Sequence, residues 1–429
     1  MIKYSWKSLR NSREARSLIS NFSWLAVLQV VSYLFPLITV PYLARVIGVD
    51  GFGHIAFASA VMVWINTVVE WGFNATATRD VARARSNHSD LSFIYSNVQY
   101  AKVFLMIVSF IVLLILIILL PKFRENWIVL IFTFLMIPGN IAFPTWFFQG
   151  MERMKYTSVL NVVSKLFFTL AIFVFIHDKD DYYLQPLLVS LGYVCAGVFA
   201  QWIILGRWHI RLVRPELKDV LSTIKGSSDV FLNTLMPNFY NSFAVMLLGF
   251  MGTPNSVGLL DAGRKFVTVG QSFINVLTQT FFPFLSRRID KHTSYARISL
   301  AVSSFMFLVL FIGSPLIIHT FFTPDFYDSI SIMRICSLGI IPICLSNVWG
   351  TGYMILQGSE RKLRNITMIV SILGFALSFP CIHFLDYTGA AISITISQVI
   401  LGLSITLSGM KIKHNKEQIN RINREQVYE

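Results

Sequence analysis

Two short segments of the chain carry acidic, basic and amide side chains in the same order. FFQGMERMKY, residues 147–156, contains Gln149, Glu152 and Arg153 within five positions, and ILQGSERKLR, residues 355–364, repeats the order Gln, Gly, any residue, Glu, Arg. An adjacent Glu and Arg can serve acid–base chemistry when the carboxylate is held in a buried site. Each segment instead lies at the polar end of a long apolar run, so we predict that the motif marks the end of a helix.

The apolar segment 256–285 carries a polar residue at every third or fourth position, the spacing that places side chains on one face of a helix. Such a face is costly against lipid, so it must contact protein or water. Arg264 on this face can donate forked hydrogen bonds to a phosphate, and Lys265 provides a point charge. The face therefore suits an anionic ligand. The alternative is internal pairing of Asp261 with Lys265 or Arg264. The members are Asp261, Arg264, Lys265, Thr268, Gln271, Asn275 and Gln279.

Polar residues also occur in other apolar segments. Gln29 and Ser32 mark one face of the segment 19–44, and Asn238 and Asn241 mark one face of the segment 219–250. An ionisable residue inside a membrane is a candidate for function because its burial there is costly. For the lysines, the alternative is that the side chains extend to the membrane surface. The further candidates are Arg45, Asn66, Glu70, Lys102, Lys165 and Arg334.

The amino-acid composition predicts the kind of protein in which these residues lie. The chain has 429 residues, of which 55% are hydrophobic and 14% charged, and its mean hydropathy of +0.62 is too high for a soluble surface. The uncharged run FLMIVSFIVLLILIILL is long enough to cross a bilayer core, which takes about 20 helical residues. We predict a polytopic membrane protein whose net charge of +14 comes from basic cytoplasmic loops and not from nucleic-acid binding.

Charged or Gly/Pro-rich breaks divide the chain into twelve apolar spans. If the N-terminus is cytoplasmic, the segments on that side hold 26 Lys and Arg residues and those on the opposite side hold 4. This asymmetry predicts that both termini are cytoplasmic. The predicted spans are 19–44, 52–75, 92–120, 127–149, 156–176, 182–206, 219–250, 256–285, 297–320, 328–356, 363–384 and 389–410.

The spans form two similar sets of six. The two Gln-Gly-x-Glu-Arg motifs follow the fourth and tenth spans at an offset of 208 residues, and Pro36 and Pro237 interrupt the first and seventh spans at a similar offset. Transporters commonly bind their substrate where two repeats meet. We therefore predict an all-α integral membrane protein with about twelve transmembrane helices in two pseudo-symmetric six-helix lobes around a central cavity. Its parts are a basic cytoplasmic N-terminus (1–18), an N-lobe (19–206), a cytoplasmic linker (207–218), a C-lobe (219–410) and a basic cytoplasmic tail (411–429).

Several signatures of enzymes and cofactors are missing from the sequence. It contains no G-x-x-x-x-G-K-[ST] phosphate loop and no His-x-x-x-His pair, and its four cysteines lie in apolar stretches without ligand spacing. We therefore predict no metal and no cofactor. Because the predicted loops outside the bilayer are short, we expect a transporter and not an enzyme.

Four segments resemble those of Wzx-type O-antigen flippases, which belong to the multidrug/oligosaccharidyl-lipid/polysaccharide exporter superfamily. The resemblance covers nearly the whole chain and is strongest over residues 20–160. It implies location in a bacterial inner membrane and export of an undecaprenyl-pyrophosphate-linked oligosaccharide repeat unit by alternating access. It also implies membrane lipids and other polysaccharide-assembly proteins as partners. The segments are NFSWLAVLQVVSYLFPLITVPYLARVIGVDGFGHIAFASAV (21–61), WGFNATATRDVARAR (71–85), WFFQGMERMKY (146–156) and FTPDFYDSISIMRI (322–335).

The same resemblance implies where the substrate binds, because the family places cavity charges on its first, second, seventh and eighth helices. The polar faces described above fall largely on these helices. The first candidates for substrate binding are Arg264, Lys265, Asp261 and Arg45. The second group comprises Glu70, Lys165, Arg334, Gln271, Asn275 and Asn66.

Three alternatives remain open at this point. A multidrug exporter of the same superfamily, driven by a cation gradient, would use a buried carboxylate for the ion, and the first span has none. A polytopic enzyme of the polysaccharide pathway would need a sizeable extramembrane loop with catalytic side chains. A scaffold protein would not need a continuous polar face on an apolar helix.

Overall fold

The computed structural model describes Phe35 and residues 38–428, but not the side chains of Pro283, Glu417 and residues 419–428. The predicted N-terminal segment 1–18, together with Gln29, Ser32 and Pro36, lies outside the described residues. All regular structure within the described residues is helical, which confirms the predicted all-α class.

The chain divides into two compact units, one ending at Leu235 and the other beginning at Met236. The first contains the helices 38–46, Gly48–Glu70, Phe73–Ala84, His88–Leu119, Pro121–Glu125, Trp127–Phe134, Met136–Ala142, Thr145–Gly150, Met154–Phe175, Lys179–Tyr183, Leu184–Gln201, Trp202–Arg207 and Leu217–Leu235. The second contains Met236–Phe239, Ser242–Met251, Pro254–Arg287, Ile289–Lys291, His292–Phe321, Pro324–Phe326, Ser329–Ser337, Ile340–Ser346, Asn347–Met354, Ile355–Gln357 and Glu360–Tyr428.

Eight helical stretches in the described part of the chain, several of them made of consecutive helices, are long and apolar enough to cross a membrane. Seven of them each match one predicted span. The eighth, Glu360–Lys416, lies in the helix Glu360–Tyr428 and contains the two spans predicted at 363–384 and 389–410. The chain reverses within this helix at Asp386, where φ is 50° and ψ is −130°. The hydroxyls of Ser378 and Ser393 then face each other at 3.5 Å, so the two spans run antiparallel.

The predicted seventh and eighth spans depart from simple apolar helices. The seventh is divided: Leu217–Leu235 ends at the 3-10 turn Met236–Phe239, and Ser242–Met251 follows. Pro237 lies in the turn, and a proline interrupts a helix because it lacks a backbone N–H. The eighth, Pro254–Arg287, is one continuous helix of 34 residues, which we call the polar helix.

Local sequence signals determine several of these helix ends. Asn87 begins the helix His88–Leu119, because its side chain accepts hydrogen bonds from the backbone N–H groups of Ser89 and Asp90 at 3.0 and 3.5 Å. Thr253 begins the polar helix in the same way, accepting from the N–H of Ser256 at 3.2 Å.

The predicted second span is broken near its end, where Trp71 and Gly72 have φ values of 41° and 79°. Glycine adopts such positive φ values without steric cost. The Trp71 ring stacks on Phe231 with centroids 3.9 Å apart, and its Nε1 donates to the carbonyl of Ile224 at 3.0 Å. The break therefore packs against the helix Leu217–Leu235, which belongs to the first compact unit. The predicted linker 207–218 between the N-lobe and the C-lobe is not tested by this packing and stays a prediction.

Candidate functional site

The polar helix carries a charged pair near its N-terminal end. Lys265 Nζ lies 2.9 Å from Asp261 Oδ2, one helical turn away, and the two side chains are 38% and 30% exposed. The spacing allows Asp261 to pair with Lys265 or with Arg264, and in the structure it pairs with Lys265. An ion pair this exposed contributes only about 0–1 kcal/mol to stability, because water screens both charges.

Arg264 lies beside this pair and is only half-buried. Its Nη2 is 3.5 Å from Asn241 Oδ1, near the start of the helix Ser242–Met251, and this distance is at the weak limit for a hydrogen bond. A guanidinium has five N–H donors in a planar fork. The geometry therefore leaves the group suited to bidentate binding of a phosphate oxygen pair.

A row of amide side chains continues along the polar helix. Gln271 Nε2 donates to Gln398 Oε1 at 3.2 Å, and Asn275 Oδ1 accepts from Asn347 Nδ2 at 2.7 Å. Gln398 is only 3% exposed, so it positions Gln271 from the protein interior. Asn275 remains exposed, as does Gln279 one turn further. These groups donate and accept hydrogen bonds, which suits the hydroxyls of a sugar.

Arg334, another candidate, makes its described contacts with a different helix. Its Nε donates to Ser314 Oγ at 3.1 Å, and its guanidinium lies 6.0 Å from the centre of the Phe311 ring. Both partners belong to the helix His292–Phe321. The described contacts of Arg334 therefore do not join it to Arg264.

The first unit holds a second charged pair, and this one is buried. Lys102 Nζ lies 2.8 Å from Glu70 Oε2, and the side chains are 1% and 18% exposed. Near it, Asn140 Nδ2 donates to Asn66 Oδ1 at 3.3 Å. Lys102 therefore does not extend to the membrane surface. It neutralises Glu70 inside the unit.

Lys165 lines a cleft of about 90 Å³ between the helices Met154–Phe175 and Leu184–Gln201. Asn161, Ser164 and Thr169 line the same cleft from its own helix. Apolar side chains, including Phe168, Ile172 and Val189, form the rest of the lining. The cleft is therefore a largely apolar pocket with one cation and a few polar groups, and the sequence predicts only its lysine. Arg45, on the helix 38–46, is exposed.

The Gln-Gly-x-Glu-Arg motifs lie at helix ends, as their positions predicted. In the first copy, Arg85 Nε donates to the carbonyl of Gly150 at 2.6 Å, and its Nη1 lies 2.8 Å from Glu152 Oε1. In the second copy, Gln357 Oε1 accepts from Lys416 Nζ. Both copies fasten a turn to a neighbouring element, which is a structural role.

Three partners of the candidate residues are not among the predicted site residues: Asn140, Asn347 and Gln398. Each is an amide within an otherwise apolar span, and that signal could have found them. Asn347 begins a π-helical segment, Asn347–Met354, a local irregularity that is frequent at functional sites. Within the described residues, no group of three His, Cys, Asp or Glu side chains is placed to hold a metal ion.

Comparisons with known proteins add independent findings. A family model described as "Polysaccharide biosynthesis protein" matches residues 18–289. A curated relative from Escherichia coli (strain K12), named "Putative O-antigen transporter", is 28% identical over 410 residues, which cover 93% of this chain and 98% of the relative. A relative of the same name from Shigella dysenteriae is 24% identical over 398 residues, covering 89% and 98%.

Solved structures share the fold at low sequence identity. "Lipid II flippase MurJ, inward closed conformation" matches with a TM-score of 0.71 and 13% identity, over 89% of this chain and 86% of that chain. "Crystal structure of MATE in the bent conformation" matches with a TM-score of 0.58 and 15% identity, over 96% and 98%. Both likenesses concern the fold alone.

Proposed function

The chain belongs to the polysaccharide biosynthesis protein family, whose model matches well over half of it, and from this premise we propose that it is a flippase. It would move undecaprenyl-pyrophosphate-linked repeat units of O-antigen, or of a related surface polysaccharide, across the bacterial inner membrane. Movement would occur by alternating access of two lobes around a central cavity, with both termini in the cytoplasm. The apolar polyprenyl tail would stay in lipid throughout.

The observation that carries the proposal is the composition of the polar helix. Such a substrate presents a pyrophosphate and a chain of sugar hydroxyls. Arg264 has donors suited to the pyrophosphate, while Gln271 and Asn275 offer amides to the sugars. A polar face of this length is costly against lipid, and a polar cargo would contact the groups on it that remain exposed.

Two comparisons support the same function. The Escherichia coli relative carries an O-antigen transporter name, and the fold is shared with a lipid II flippase at a TM-score of 0.71. Both relatives carry transporter names, so we propose no catalytic reaction for this chain. Other polysaccharide-assembly proteins are proposed as partners.

A cation-coupled multidrug exporter is the weaker alternative. Such a protein needs a carboxylate available to the coupling ion. The two carboxylates within the predicted polar faces, Glu70 and Asp261, each form an ion pair with a lysine of their own unit, at 2.8 and 2.9 Å. The overall likeness to the MATE structure is also lower than that to the flippase.

Deleting the gene in its host tests the proposed function. We expect surface polysaccharide to be lost and complete lipid-linked repeat units to accumulate at the cytoplasmic leaflet, because synthesis continues while transfer stops. Radiolabelled or mass-spectrometric analysis of extracted lipids, with and without periplasmic glycosidase access, measures this. A complementing plasmid should restore the polysaccharide.

Other outcomes of the deletion would reject the flippase. Truncated repeat units would indicate a glycosyltransferase, and complete single units exposed at the periplasmic leaflet would indicate a polymerase. Unchanged surface polysaccharide, with unchanged sensitivity to drugs as a second readout, would leave neither transport function standing.

Replacing Arg264 with Ala should reduce export of the repeat unit by about tenfold or more, because a hydrogen bond to a charged group contributes roughly 1.5–3 kcal/mol. Lysine at this position should retain part of the activity, since it keeps the charge but loses the fork. The measurement is the amount of surface polysaccharide made by the deletion strain carrying each variant.

Arg288→Ala supplies the matched control for Arg264. Arg288 follows the same helix, is 58% exposed and pairs with Asp290 in the loop, so its loss should leave export unchanged. Both variants must be present in the membrane at wild-type amounts. Equal export by Arg264→Ala and the wild type would remove Arg264 from the substrate site.

A further inference from the structure

A cavity of about 360 Å³ in the first unit belongs to none of the sites described above. It lies between the helices His88–Leu119 and Met136–Ala142, and Leu212 of the linker 207–218 also lines it. One part of its lining is apolar and includes Val103, Met106 and Ile141. The volume lies within the range of pockets that bind small molecules.

Another part of the lining, which we call the polar end, includes Tyr95, Gln99 and Gln201. Gln99 is 8% exposed, and its Nε2 makes no hydrogen bond among the described residues. The neighbouring Tyr95 hydroxyl donates its proton to Gln201 Oε1 at 2.7 Å. The Tyr95 oxygen can accept at most one of the two N–H groups of the Gln99 amide, so the other N–H group lacks a partner among the described residues. A buried donor without an acceptor costs about 1–3 kcal/mol. The cavity therefore has a place for a hydrogen-bond acceptor.

The rim of the cavity faces the lipid-contacting side of the helix His88–Leu119. Tyr100 and Val103 at the rim are 42% and 38% exposed, and Phe104, Ile107 and other large apolar side chains continue this exposed surface along the helix. An apolar surface of this extent is covered by lipid in a membrane protein. The cavity is therefore open sideways to lipid.

The linker places positive charge next to the polar end. The backbone N–H groups of Arg211 and Val213 donate to Ser92 Oγ and Ser96 Oγ at 3.1 and 2.9 Å, which fixes the linker along the first turns of the helix. Arg211 and Arg214 are exposed there. The segment 207–218 contains four Lys or Arg residues and one Glu, so it attracts anions.

We propose that this cavity binds one anionic glycerophospholipid of the surrounding bilayer. The headgroup phosphate contacts Arg211 and Arg214, an ester carbonyl accepts from Gln99, and one acyl chain fills the apolar part as far as Met106. The order of phosphate, ester and acyl chain in the lipid matches the order of these residues along the helix His88–Leu119, in which Gln99 lies about 10 Å beyond Ser92. A polyprenyl chain carries no acceptor along its length, so it would leave the Gln99 amide unsatisfied.

The proposal does not depend on the flippase function, and its test measures binding alone. The purified full-length protein is exchanged into detergent containing equal amounts of phosphatidylglycerol and phosphatidylcholine with identical chains. Native mass spectrometry then counts retained lipid, and thermal unfolding measures the stabilisation. The wild type should retain one phosphatidylglycerol in preference to phosphatidylcholine.

Three variants address the three parts of the cavity. Gln99→Leu keeps the volume but removes the donors, Val103→Trp fills the apolar part, and Arg211→Gln with Arg214→Gln removes the charge. Each should lower phosphatidylglycerol retention by about fivefold or more, which corresponds to roughly 1 kcal/mol of binding free energy. Arg288→Gln, an exposed loop arginine in the second unit, should leave retention unchanged.

The outcomes separate the explanations. Equal retention of the two phospholipids by the wild type would overturn the proposal. So would a loss of phosphatidylglycerol in Arg288→Gln as large as in the cavity variants, because the lipid would then respond to positive charge anywhere on the protein. Displacement of phosphatidylglycerol by equimolar undecaprenyl phosphate would assign the cavity to the polyprenyl chain and also overturn it. If Gln99→Leu fails to fold, the arginine variant decides, since its changes are confined to exposed positions.

Discussion

Replacing Lys102 with Ala should lower the free energy of unfolding by about 3–5 kcal/mol, because it leaves Glu70 as an uncompensated charge inside the first unit. Lys102 is 1% exposed, and its Nζ lies 2.8 Å from Glu70 Oε2. The loss of the buried lysine stem adds a cavity to the cost. We expect a lower Tm of the purified protein in detergent and a smaller monodisperse fraction after extraction from membranes.

Two control variants separate charge from packing. Lys102→Met combined with Glu70→Gln removes both charges while keeping similar volumes, and should unfold near the wild-type Tm, since neutral replacement of a buried ion pair is often tolerated. Lys265→Ala breaks the exposed pair with Asp261 and should cost less than about 1 kcal/mol. If the double variant were as unstable as Lys102→Ala, packing and not charge would explain the loss.

Much of the fold follows from the sequence because a membrane restricts the choices. Apolar stretches of span length must form helices, since lipid offers no partner for backbone N–H and C=O groups. The predicted limits 156–176 thus became the helix Met154–Phe175. Breaks inside spans are harder to predict. The turn at Trp71 depends on its stacking against Phe231, a contact that periodicity does not report.

The candidate site, like the fold, is predicted only in part by the sequence. Helical spacing identified Asp261 and Lys265 as a possible pair, because residues four positions apart are neighbours on a helix. It could not identify Glu70 as the partner of Lys102, 32 positions away on another helix. Nor could it show that Gln398 holds Gln271. The sequence therefore predicts which helix faces are polar, while tertiary packing decides which polar groups are paired and which remain available to a ligand.

Replacing Gly139 with Leu should destabilise the first unit by about 3 kcal/mol or more, because this glycine lies against the backbone of a neighbouring helix. A Cβ atom at Gly139 would lie 2.6 Å from the carbonyl carbon of Tyr193 and 2.7 Å from the backbone nitrogen of Val194. Gly197 faces the same crossing, where a Cβ would lie 2.9 Å from the carbonyl oxygen of Gly139. Small residues allow membrane helices to approach this closely, and backbone atoms cannot rotate away as a side chain would.

Gly226→Ala is the matched control for Gly139→Leu. Gly226 lies in the helix Leu217–Leu235, and a Cβ there would meet no atom within 4 Å. Alanine should therefore raise stability by about 0.5–1 kcal/mol, since glycine loses more conformational freedom in a helix. Thermal unfolding in detergent should show opposite shifts of Tm for the two variants. A wild-type Tm for Gly139→Leu would mean that the helices Met136–Ala142 and Leu184–Gln201 can separate at little cost, and the close crossing would then not stabilise the unit.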